Sequence, residues 1–123
     1  MKKRVILFCS LFLVLAFSTA FAAKDTVVIG LQGPITGAWA YEGQMAKQSC
    51  EIAADLINKK GGILGGKKIV LKVVDDAGEP KSGALAAQKL VTQKDVVAVV
   101  STYGSSVCEP ASNIYEKFKK VNI

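Results

Sequence analysis

The sequence predicts an α/β fold, a parallel sheet enclosed between helices as three αβα layers. Strand-like and helix-like apolar periodicities alternate along the chain, as they do in repeated β-α units. Glycine-rich or Pro/Asp punctuation separates them. Two of the strand-like segments are apolar throughout, the pattern of strands covered on both faces.

These elements begin only after a leader. Lys2, Lys3 and Arg4 form a positive start, Val5 to Phe17 is uncharged and apolar, and Ala20-Phe21-Ala22 places small residues where a signal peptidase reads them. The apolar run is shorter than the roughly 20 residues that a membrane-crossing helix needs. Cys9 lies within it, where a lipid anchor would leave no apolar region ahead of the modified residue. Residues 1–22 are expected to be a cleaved signal peptide and 23–123 the exported working part. Removing the leader from 123 residues leaves 101, enough for one core but small for two lobes.

Thr26 to Leu31 (TVVIGL) forms the first strand. After it, Met45, Ser49, Ile52, Ala53, Leu56 and Ile57 recur at helical spacing, with Lys47, Gln48, Glu51, Asp55 and Asn58 on the other side. Met45 is thereby expected in the core. Gly61 and Gly62 stop this helix. Lys68 to Asp75 (KIVLKVVD) puts Ile69, Leu71 and Val73 on one face and mixes Lys68 and Lys72 with valines on the other, which predicts an edge strand. A second helix is expected from about Lys81 to Gln93, with Ala84, Ala87, Leu90 and Val91 as its stripe and Pro80 just ahead. Val96 to Ser101 (VVAVVS) is the other fully apolar strand. In the third helix Ala111, Ile114, Tyr115 and Phe118 share a face, with Glu109 and Pro110 as first-turn residues. Val121-Asn122-Ile123 begins a fourth strand.

Right-handed crossovers restrict the topology. An edge second strand beside two central ones gives strand order 2-1-3-4, the flavodoxin-like order, with its switch point between strands 1 and 3. Ligands of such sheets bind outside the carboxyl ends of the strands at that point. Two loops reach it. The first, Gln32 to Gly43, carries Thr36, Trp39 and Tyr41; the second, Thr102 to Val107, carries Tyr103, Ser105 and Ser106. Each runs into a helix N-terminus, where free amides and the positive dipole end suit a carboxylate. The residues alone leave other roles open: Ser105 or Ser106 also fits a helix cap, and Trp39 and Tyr41 also fit anchors packed on the first helix.

Composition narrows the function classes. The leader holds three of the 16 basic residues, so 13 remain against 10 acidic. The clusters at Lys59, Lys60, Lys67, Lys68 and Lys72 and at Lys117, Lys119 and Lys120 lack interleaved aromatics or arginine and read as a solvated face, with no nucleic-acid partner. Histidine is absent, which removes the serine-hydrolase triad and most zinc sites. Gly30, Gly33 and Gly37 do not have dinucleotide spacing, and no Lys-Ser/Thr follows as a phosphate loop requires. No cofactor or metal is expected. Asp75 and Asp76 read as capping and solvated turn residues ahead of Pro80.

GPITGAWAYEG after an apolar strand, then INKKGGILGGKKIVLKVVDDAGEPKSGALAAQKLV, then an apolar strand, a serine loop and PASNIYE, resemble the periplasmic branched-chain amino-acid-binding proteins. The resemblance spans nearly all of the chain after the leader, and Gly61 to Val91 is its most diagnostic part. It implies a type I periplasmic binding protein: two lobes that close on an amino acid or a related small polar ligand and deliver it to a membrane ABC permease, without catalysis. Ser105, with Ser106, would hold the ligand's carboxylate, and Thr36 to Tyr41 would wall its side chain. Tyr103 belongs to the same candidate set. The protein is expected to be periplasmic, and monomeric when full length. A sensor domain of the same fold is the nearest alternative; a thiol enzyme using Cys108 at a helix N-terminus is a remote one.

Three departures from the family pattern stand out. The cysteine pair that bridges two loops in some members is replaced here by Gly78 and Gly104. Cys50 and Cys108 fall on helices expected on opposite sheet faces, beyond the roughly 7 Å that a disulfide spans, so free thiols are expected; Cys108 also replaces a small polar residue. Finally, the chain stops as the fourth strand begins. It is expected to be the front part of the first lobe, without the second, and to leave an unpaired sheet edge.

Overall fold

The computed structural model describes residues 26–123; the expected signal peptide and Cys9 lie outside the described residues. In chain order the elements are β1 (Thr26–Gly33), α1 (Ala40–Lys59), β2 (Lys68–Asp75), α2 (Pro80–Val91), β3 (Val96–Val100), α3 (Ser105–Lys117) and β4 (Val121–Asn122). The strands form one sheet in the order β2-β1-β3-β4, all pairs parallel. Both the order and the edge position of β2 agree with the sequence expectation.

Register decides where the loops meet. Thr26 to Gly33 pair one for one with Lys68 to Asp75, so β1 and β2 end level. Against β3, Val28 pairs with Val96 and Ile29 with Ala98; the extra residue, Val97, is a bulge that sharpens the local twist. Leu31 then lies beside Val100. The carboxyl ends of all three strands therefore open onto one rim.

One face of the sheet carries the main core. Val28, Val74, Val96 and Val99 pack with Ala86, Ala87 and Leu90 of α2 and with Ala111 and Tyr115 of α3. Helices α2 and α3 approach closely because of Gly83: a Cβ there would lie 2.4 Å from Val107 Cγ1. Gly30 leaves room beneath them, since a Cβ there would crowd Leu90 Cδ2 at 3.0 Å.

Helix α1 covers the other face in a phase the sequence did not suggest. Gly43 and Ala54 are its buried residues, with Cys50, Ile57 and Asn58 partly buried on the same side. Met45, Ile52 and Leu56 are exposed, so the expected core role of Met45 is corrected. The cause is contact distance: a Cβ on Gly43 would stand 2.0 Å from Pro34 O, so only a glycine can face the sheet there, and the larger apolar stripe turns outward. Asn58, expected to face solvent, instead acts as an extra strand partner. Its amide donates to Ile69 O at 2.8 Å and its Oδ1 accepts from Ile69 N at 2.7 Å.

Two further corrections concern helix starts. The first loop is shorter than expected, because Ala40 to Gly43 already form the first turn of α1. Pro110 lies inside α3 rather than in its first turn, since the helix starts at Ser105 and buries Val107; the missing N–H leaves the Ser106 carbonyl without its helical donor. Among the described residues, no helix is long and apolar enough to cross a membrane.

Candidate functional site

The rim at the strand ends is built by three loops, and hydrogen bonds from the β2–α2 loop hold the first of them. Asp75 Oδ1 accepts from the amides of Ile35 (2.9 Å), Thr36 (3.1 Å) and Ala77 (2.9 Å), and Oδ2 accepts the Thr36 hydroxyl at 2.5 Å. Partial burial pushes the Asp75 carboxyl up, but the Thr36 hydroxyl and the amides of Ala77, Thr36 and Ile35 outweigh it, and its pKa falls below the ordinary value. Neither this residue nor its neighbour caps α2, whose N-cap Glu79 makes no side-chain cap.

Asp76 is fully buried, where the sequence suggested a solvated turn. Its Oδ2 accepts from Gln32 Nε2 at 3.0 Å and its Oδ1 from Gly78 N at 3.0 Å. Gln32 is itself buried; Nε2 also reaches Gly83 O at 3.2 Å, and Oε1 accepts the Tyr115 hydroxyl at 2.6 Å. Burial, then the Asp76 charge, pushes the Tyr115 phenol above its ordinary value. This network joins β1, the β2–α2 loop, α2 and α3 directly beneath the rim. A glutamine directly after an apolar run gives no sequence signal of such a hub.

Above it, Trp39 is the N-cap residue of α1 and its ring lies 5.4 Å from that of Tyr103, tilted by 54°. Both rings are about half exposed. They border an open depression of about 680 Å³ lined by Trp39, Tyr103, Gly104, Ser105, Cys108, Glu109 and Ser112. The structure thus brings Trp39, Tyr103 and Ser105 together. Tyr41 stands away from the depression at 76% exposure, the Thr36 hydroxyl is engaged by Asp75, and Ser106 is exposed outside the lining.

Helix α3 points its N-terminus at the depression. Gly104 is its N-cap, at φ 93°, and no side chain caps it; the capping role considered for Ser105 or Ser106 is not the one adopted. The amides of Val107 and Cys108 both donate to Gly104 O, which leaves those of Ser105 and Ser106 ahead of the helical ladder. Cys108 is free, as is Cys50, and the Cys108 thiol donates to Thr102 O at 3.0 Å, closing its own loop. Among the described residues, no cluster of metal-ligating side chains occurs. Two aromatic faces, a hydroxyl and two free amides at a positive helix end can hold a small molecule that has an apolar body and an anionic group.

Comparison with known proteins follows the same lines. A sequence profile described as periplasmic binding protein matches residues 26–123. A Leu/Ile/Val-binding protein of Rhizobium johnstonii is 46% identical over 102 residues, covering 81% of this chain and 27% of its own length. A leucine-, isoleucine-, valine-, threonine- and alanine-binding protein of Pseudomonas aeruginosa is 38% identical over 100 residues, 81% of this chain and 26% of its own. Among solved structures, a branched-chain amino acid transporter substrate binding protein of Streptococcus pneumoniae, in complex with isoleucine, is similar with a TM-score of 0.74 and 31% identity, over 79% of this chain and 28% of that one. The chain spans about a quarter of the length of the curated relatives it matches.

Proposed function

The chain belongs to the periplasmic binding protein family, and from that membership we propose that it captures an amino acid, of the branched-chain class or a close analogue, for uptake by a membrane ABC permease. Residues 23–123 are then the front part of the first ligand-binding lobe and residues 1–22 a signal peptide that sends the protein to the periplasm. The full-length protein works as a monomer whose two lobes close on the ligand, because a zwitterion held between them makes contacts that the open form lacks.

The observation that carries this reading is the convergence of Trp39, Tyr103 and Ser105 on one depression at the N-terminus of α3. In it the ligand carboxylate takes the Ser105 hydroxyl and the free amides of Ser105 and Ser106. The aromatic pair covers the aliphatic body. Ser106 supports the same helix end, and Thr36, tied to Asp75, steadies the loop that carries Trp39. Names of relatives that bind leucine, isoleucine and valine support the ligand class.

Thermal unfolding of the intact protein against a panel of amino acids tests it. A ligand at 100 times its Kd adds about 2.7 kcal/mol to stability, and Ser105→Ala should abolish most of the corresponding rise in Tm. A panel without any shift would sink the amino-acid reading. An undiminished shift in Ser105→Ala would remove the carboxylate role from this residue.

A further inference from the structure

We infer that Gly78, which does not line the depression, is a positioning residue of the site: by carrying no side chain it seats the Trp39 ring against Tyr103. The inference rests on the reading above only in taking Trp39 as part of the ligand wall. A Cβ at Gly78 would stand 2.6 Å from Trp39 Cδ1, and the next atoms are Trp39 Cγ at 3.5 Å and Pro34 Cβ at 3.6 Å. Carbon atoms in contact sit roughly 3.5–4.0 Å apart, so any side chain at this position and the present ring position exclude one another.

The ring must be the part that gives, because the floor is fixed. Gly78 has φ 72° and its amide is held by Asp76 Oδ1, inside the buried network of Gln32 and Tyr115. One residue earlier, Ala77 is held by Asp75, and its carbonyl lies so near Gly37 that a Cβ there would stand 2.4 Å from it, so the turn that leads into Trp39 sits directly against this loop. The indole has no such restraint on its outer side, where it is 47% exposed. Gly78 below and Tyr103 beside it are what define its place. The β2–α2 loop thereby shapes a pocket that the β1–α1 and β3–α3 loops line.

Trp39 is the only tryptophan among these 123 residues, so the part of the emission that Trp39→Ala removes reports this seat without a label and without a ligand. The experiment compares Gly78→Ala and Gly78→Asn with the parent, each also in a Trp39→Ala background, in the intact protein. Asparagine carries a Cβ yet tolerates a left-handed backbone, which keeps the test open if the alanine variant folds poorly. L-leucine is the binding probe, titrated by calorimetry. Both Gly78 variants should shift Trp39 emission to longer wavelength and weaken leucine binding by about tenfold; with Trp39→Ala the same changes should alter affinity less than about twofold. Unchanged emission in both variants overturns the inference, as does an equal loss of affinity in the two backgrounds, which would locate the effect in the backbone. Failure of the parent to bind leucine would count against the ligand class proposed above, and the emission comparison would still decide the role of Gly78.

Discussion

On one face of the sheet Leu90, Val99, Ala111 and Tyr115 have no solvent exposure, whereas α1 covers the other face with Gly43, Ala54 and the partly buried Cys50 and Ile57. The first face is sealed by large side chains from two helices packed side by side. The second is closed by bringing a helix backbone near the sheet over small residues. Side-chain volume therefore holds the α2–α3 face, and close approach holds the α1 face, so the same substitution should have unequal effects on the two.

The largest expected effect is at Leu90. Truncation by Leu90→Ala removes contacts with Val96 and Val99 from a region with no solvent access and should cost about 2–5 kcal/mol in chemical denaturation. A loss below about 1 kcal/mol would mean that α2 collapses onto the sheet, and the contrast between the faces would fail.

Tyr115 comes next, because it is both packing and the donor to Gln32 Oε1. Tyr115→Phe keeps the ring and leaves a buried acceptor unpaired, which should cost about 1–3 kcal/mol. It should also change the alkaline limb. Burial and the Asp76 charge raise the folded phenol above its ordinary value of 10.0, so the contribution of its neutral form is present below that pH and is lost as the pH rises past it. The phenylalanine variant should lack this loss in stability measured from pH 8 upward; a parallel decline in both proteins would remove Tyr115 as the cause.

The sequence made the α2–α3 face readable and the α1 face misleading for the same reason. In α2 the residues Ala87 and Leu90 lie on the only apolar stripe, so periodicity and packing agree. In α1 there are two stripes, Cys50-Ala54-Ile57 and Met45-Ile52-Leu56, on opposite sides of the helix. Hydrophobicity favours the bulkier stripe, while the contact of Gly43 with Pro34 O selects the smaller one, and a close approach cannot be seen in a periodicity. Pro110 reads as a first-turn residue because proline favours helix starts, whereas the helix begins five residues earlier to bury Val107. At the rim, the approach of Trp39 to Tyr103 and Ser105 followed from the strand order, since 2-1-3-4 sets their loops side by side. The hub at Gln32 and Asp76 did not, because hydrogen bonds across 44 residues of chain depend on register and leave no local pattern.

Asp75 lies between the two faces and belongs to the rim. Asp75→Ala frees the amides of Ile35 and Thr36 and should cost about 1 kcal/mol, kept small because the group is exposed and solvent replaces much of what is lost. The folded pKa is lowered, so this contribution is present above the unfolded value and is lost as the pH falls through the folded one. Stability measured from pH 6 downward should drop less steeply below about pH 4 in the alanine variant than in the parent. Equal slopes would show that the carboxylate is not the fastener of the first loop.

The smallest effect is expected on the outer stripe of α1. Ile52 is 55% exposed and points away from the sheet, so Ile52→Gln removes little buried area and replaces a β-branched residue with a better helix former. Its stability should stay within about 0.5 kcal/mol of the parent. The same change at Met45 or Leu56 should behave alike, since both share the exposed side. This near-zero result is what gives the Leu90 measurement its meaning: two apolar helix residues, equally periodic in sequence, differ in effect because one packs in the core between its helix, α3 and the sheet and the other faces water. A loss above about 1 kcal/mol at Ile52 would show that the outer stripe is covered in the intact protein, and α1 would then be sealed on both sides.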